Sequence, residues 1–106
     1  MGSAMKPNPM SVSKSSWDDT PIRSAAELRA FIIKLKESVA SGTMQQYWPA
    51  DAPFATETKI TDINETASWP TDYLEWYFLL TTSKKRYRLS AETYHGVGGN
   101  WKRLDY

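Results

Sequence analysis

Apolar and polar positions change their period along this chain. Leu28, Phe31, Ile32, Leu35 and Val39 recur at spacings of three and four, one stripe of an α-helix. Arg29, Lys34, Lys36 and Glu37 fall mostly on the other side. Ser24 with Glu27 three residues on has the form of a capping box, and Gly42 suits the left-handed turn that ends a helix. The helix is therefore expected over about residues 25–41. Further along the period drops to two. Residues 56–63 (TETKITDI), Tyr73–Thr81, Arg86–Tyr94 and Trp101–Tyr106 read as strands, rich in β-branched and aromatic side chains. Asp18-Asp19-Thr20-Pro21 reads as a turn, Tyr47 to Pro53 as an irregular connection stiffened by two prolines, and Asn64 to Asp72 as a loop.

The fold class this predicts is α+β: one N-terminal helix packed on a curved antiparallel sheet of about four strands, because a helix stripe and a sheet face each need cover. Residues 1–16, with prolines, serines and no periodicity, read as a mobile tail. Met1-Gly-Ser-Ala ahead of Met5 resembles a cloning remnant, and residues 17–106 read as a single domain. The order helix, then meander, is similar to small bacterial cystatin-like or NTF2-like domains, a resemblance that implies fold alone.

Register decides which side chains look outward. Centring the first turn between Ser83 and Lys84 sets Leu80 opposite Tyr87, Phe78 opposite Leu89 and Trp76 opposite Ala91, an apolar set suited to a core. Centring the glycine-rich turn His95–Asn100 between Val97 and Gly98 sets Ala91 opposite Leu104 and Leu89 opposite Tyr106. The other face then carries the rows Tyr73–Tyr94–Trp101, Glu75–Glu92–Arg103 and Tyr77–Ser90–Asp105, with Arg88 and Arg86 at its end. Nine of the chain's fourteen aromatics lie between Trp69 and Tyr106, too many for one face to hide.

Net charge is +1, so no global field points to a polyanion. The distribution is uneven. Residues 45–75 carry Asp51, Glu57, Asp62, Glu65, Asp72 and Glu75 against Lys59 alone, a net of −5. Residues 84–106 carry Lys84, Lys85, Arg86, Arg88, Lys102 and Arg103 against Glu92 and Asp105, a net of +4. The chain has no cysteine, which excludes disulfides and thiolate metal sites and fits a reducing cytoplasm. One histidine makes a zinc site a poor expectation. No apolar run approaches the roughly 20 residues of a membrane-spanning helix.

These features point first to a non-enzymatic binding protein. It would use Tyr73, Tyr77, Tyr94 and Trp101 as anchors and Arg86, Arg88 and Arg103 for orientation. Its expected partner is another protein or a second copy of itself, with a small acidic ligand as a further option; no cofactor, metal or membrane is expected. A second reading is a small-ligand pocket or enzyme using Glu75 and Glu92 as an acid–base pair with His95. A third, less favoured, is single-stranded nucleic-acid binding through the basic hairpin 84–88, with Tyr87 stacking on bases. Gly96 to Gly99 joins two strands and opens no helix, so it does not form a phosphate loop.

Overall fold

The computed structural model describes residues 17–66, 69, 71–93 and 98–104. The chain runs β1 (Thr20–Ile22), α1 (Ala25–Ala40), β2 (Met44–Tyr47), a 3-10 turn (Ile60–Asp62), β3 (Tyr73–Leu80), β4 (Arg86–Glu92) and β5 (Gly99–Arg103). The five strands form one antiparallel sheet in the order β1-β5-β4-β3-β2. β1 and β2 are its two edges, and α1 carries the chain from one edge to the other across one face. This is the expected α+β architecture, with five strands rather than four.

The helix forms where its periodicity and caps place it. Ser24 has extended backbone, and its Oγ accepts the Glu27 N–H at 3.1 Å. The Glu27 carboxylate accepts the Arg23 N–H at 2.7 Å, one residue earlier than in a capping box. At the other end Gly42 has φ +84°, and the N–H groups of Gly42 and Thr43 bond the carbonyls of Val39 and Ser38 at 3.1 and 2.9 Å. That paired closure satisfies two carbonyls the helix would leave open. Leu28, Ile32 and Leu35 are sealed against the sheet, with Phe31 and Val39 packed at the margin.

Three strand assignments change. Residues 56–63 are not a ladder strand. Ile60 and Ile63 both point into the core, and a spacing of three can do that only by turning, as the 3-10 segment does. Side chains take up the backbone groups there: Gln46 Oε1 accepts the Ile60 N–H at 2.8 Å, and the Trp76 indole donates to the Thr58 carbonyl at 2.9 Å. The edge beside β3 is instead filled by Met44–Tyr47, and β3 beyond it is met by Thr56, which exchanges two 2.9 Å bonds with the Glu75 backbone. Thr20-Pro21, expected in a turn, lies in β1 and pairs with β5.

The β3–β4 hairpin sets Phe78 opposite Tyr87, Trp76 opposite Leu89 and Leu74 opposite Ala91. This is two residues from the expected alignment, so every side chain keeps its face. The β4–β5 hairpin pairs Leu89 with Trp101 and Tyr87 with Arg103. That is five residues from the expected alignment, an odd shift, and it turns β5 over. Trp101 enters the core at 0% exposure, where its ring stacks on Tyr87 (4.9 Å, 9°) and meets Phe31 at 5.1 Å and Phe78 at 5.8 Å. Trp17 closes over it at 5.5 Å and accepts the Trp101 indole N–H on its carbonyl at 3.2 Å. Lys34 Nζ in turn sits 4.3 Å from the Trp17 ring centre.

Candidate functional site

The face opposite α1 has no helix over it among the described residues. Alternation along β2, β3, β4 and β5 lays three rows across it: Gln45–Leu79–Arg86, Tyr47–Tyr77–Arg88–Lys102, and Glu75–Ser90–Asn100. Tyr73 sits opposite Glu92 at the far end. Tyr77 and Arg88 are on the face expected for them, but directly opposite each other, where the expected alignment set Tyr77 against Ser90 and Leu79 against Arg88. Tyr73 is also on this face, 45% exposed.

Several expected members are elsewhere. Trp101 is core, so it cannot anchor a partner at this face. Arg103 lies opposite Tyr87 on the helix side, and its backbone N–H bonds the Asp19 carboxylate at 2.9 Å. Glu75 and Glu92 are not paired: the two-residue shift places Ser90 opposite Glu75 and Tyr73 opposite Glu92, which removes the like-charge contact. Tyr87 is buried against Trp101 and is not available to stack on a base. Tyr94 and His95 lie outside the described residues, as do Asp105 and Tyr106.

Glu75 has a structural task. Its two carboxylate oxygens accept the hydroxyls of Tyr73 at 3.1 Å and of Tyr77 at 2.5 Å. Residues two apart on a strand share a face, so one carboxylate can hold both rings. Burial pushes the Tyr77 phenol up to about 12, with the Glu75 carboxylate adding to the shift and Arg88 opposing it. Burial and Glu75 also raise Tyr73. Both phenols therefore stay protonated donors through the physiological range.

The fixed Tyr77 ring meets Tyr47 at 6.0 Å and 57°. Beside them opens a groove of about 310 Å³, lined by Tyr47, Pro49, Asp51, Ala52, Tyr77, Arg86, Arg88 and Leu104. The groove thus has two aromatic walls, an apolar rim from the 48–55 loop and β5's end, and two guanidinium groups against one carboxylate. Two polar atoms on this face, Arg88 Nε and Asn100 Oδ1, are sealed from solvent and have no hydrogen-bond partner among the described residues. A buried polar atom without a partner costs about 1–3 kcal/mol and calls for an explanation at a binding surface.

Tyr47, Pro49 and Leu104 were not expected as site residues. Tyr47 carried a signal: an aromatic beside two prolines in a short connection marks a stiffened, exposed segment. Leu104 carried none, because only the β4–β5 alignment brings it there. Among the described residues no cluster of metal-ligating side chains occurs, and no helix is long and apolar enough to cross a membrane. The chain matches no protein-family model, no curated protein and no solved structure.

Proposed function

We propose that the protein is a non-catalytic binding module. Its recognition surface is the sheet face opposite α1, centred on Tyr47, Tyr77 and Arg88, with Tyr73 and Arg86 beside them. The observation that carries this reading is the Tyr77–Arg88 pair. The ring is locked by Glu75, and the guanidinium is half-buried with one nitrogen unsatisfied. A pre-set aromatic next to an under-satisfied cation favours association, because little side-chain freedom remains to be lost. Catalysis finds less support, since Glu75 is committed to two tyrosines and stands apart from Glu92.

Titrating a fragment library of acids and neutral compounds into isotope-labelled protein, followed by amide chemical shifts, tests the location. Bound fragments are expected to move Tyr47, Tyr77 and Arg88. Shifts confined to α1 or to the 3-10 turn would remove this face as the recognition surface.

A further inference from the structure

The groove lining also specifies a class of partner, an inference that rests on the binding reading above. Among the described residues Arg88 has no ion pair, although its side chain approaches the Tyr77 hydroxyl. The nearby carboxylates, Asp51 in the lining and Glu75 on the Tyr77 hydroxyl, form no ion pair with Arg88, whose Nε is sealed and unpartnered; an incoming carboxylate would satisfy that charge directly. Lys102, directly across the ladder from Arg88 and exposed, adds a second positive charge of the same row. Tyr47, Tyr77, Pro49, Ala52 and Leu104 supply apolar contact next to these cations. The complement is a carboxylate carried beside a flat or branched apolar group.

The shape indicates where that carboxylate comes from. A free small acid needs a pocket that encloses most of its surface. This groove lies open on a sheet face, at about 310 Å³. The loop that forms its rim continues into exposed side chains, Trp48 at 44% and Phe54 at 76% exposure. That loop is held in shape: the Trp48 indole donates to the Thr56 carbonyl at 3.0 Å, and Ala55 N–H bonds the Ala52 carbonyl at 3.2 Å. Trp48 and Phe54 belong to the rim loop without lining the groove, so only a partner that extends beyond the groove would reach them. We infer that the groove takes an acidic side chain flanked by an aromatic residue from a peptide segment of a partner protein.

The test uses the whole chain and three probes: a blocked hexapeptide with two glutamates around a phenylalanine, its double-glutamine counterpart, and free 3-phenylpropanoate. The acidic peptide is expected to bind at least tenfold more tightly than the other two. It should move the amides of Tyr47, Tyr77 and Arg88 and weaken as salt rises from low to physiological strength. Arg88→Gln is expected to weaken it roughly tenfold, the effect of losing one charge-assisted contact, in a variant that still unfolds cooperatively. Arg29→Gln, on the helix, should leave binding unchanged. Equal binding of the acidic and neutral peptides at the same amides would overturn the acidic assignment and keep the binding face. Equal binding of phenylpropanoate would overturn the peptide source. Acidic-peptide shifts mapping away from the groove would overturn both this inference and the proposed face. No shift with any probe would overturn the inference alone, leaving the face to the fragment titration.

Discussion

Replacing Trp101 with alanine removes the ring around which the inner layer is built. The indole has no exposure, packs on Trp17, Phe31, Phe78 and Tyr87, and spends its N–H on the Trp17 carbonyl. Truncating a buried tryptophan costs about 3–5 kcal/mol, the upper part applying where the surroundings cannot collapse. Four ring partners from four separate segments make collapse hard, so about 4 kcal/mol is expected. A domain of this size has roughly 5–15 kcal/mol in total, and each kcal/mol moves the midpoint about 4–8 °C. The variant should therefore melt about 20 °C lower, or be largely unfolded at room temperature. Urea unfolding followed by far-ultraviolet circular dichroism is the right assay, because it does not depend on the tryptophan removed. Trp101→Phe keeps most ring contacts and should lose about half as much. A loss below about 1 kcal/mol for Trp101→Ala, the size of an ordinary surface change, would refute the buried placement.

Three further outcomes follow from particular backbone and side-chain positions. Lys84 holds φ +65° in the β3–β4 turn, so Lys84→Gly should stabilise the fold by about 0.5–1 kcal/mol in urea titration; a destabilised variant would argue against the left-handed residue. A Cβ on Gly99 would lie 2.2 Å from the Ser90 carbonyl oxygen, so Gly99→Ala should force β4 and β5 apart and cost about 3 kcal/mol; an unchanged melting curve would rule out that close approach. Tyr77 has its phenol raised from 10.0 to about 12 in the fold, so the folded state keeps a proton the unfolded chain releases. Its contribution is complete below about pH 10 and is lost as pH climbs to about 12. Ultraviolet phenol titration should show late tyrosines, the latest of which Tyr77→Phe removes, and Glu75→Gln should move both Tyr73 and Tyr77 earlier.

The helix was legible because three independent signals agreed: the stripe from Leu28 to Val39, Ser24 with Glu27 at its start, and Gly42 at its end. The first hairpin tolerated a misplaced turn, since a shift of two preserves which face Trp76 and Phe78 occupy. The second did not. Gly99 and Asn100 look like turn residues, yet Gly99 belongs to β5 because only a residue without Cβ fits against Ser90 and Ala91. Extending the strand by those two residues moves the turn toward β4 and reverses the faces of Trp101 and Arg103. The available clue was that a glycine within a strand marks close backbone approach. β2 was hidden for another reason. Met44–Tyr47 is four residues with two glutamines, and its identity as a strand comes from the exposed edge of β3 that it covers. On the candidate face, Tyr73, Tyr77, Arg86 and Arg88 could be read from alternation alone. The groove could not, because it joins β2, the following loop and the end of β5, which meet only in the folded chain.

Proton–proton contacts of the Trp101 indole in solution test the central claim most directly, that the β4–β5 alignment buries this ring and leaves recognition to Tyr47, Tyr77 and Arg88. Nuclear Overhauser cross-peaks to the rings of Phe31 and Tyr87, with an indole N–H slow to exchange, are the predicted result. Cross-peaks from Trp101 to the Tyr73 ring instead would place it on the opposite face and contradict the account.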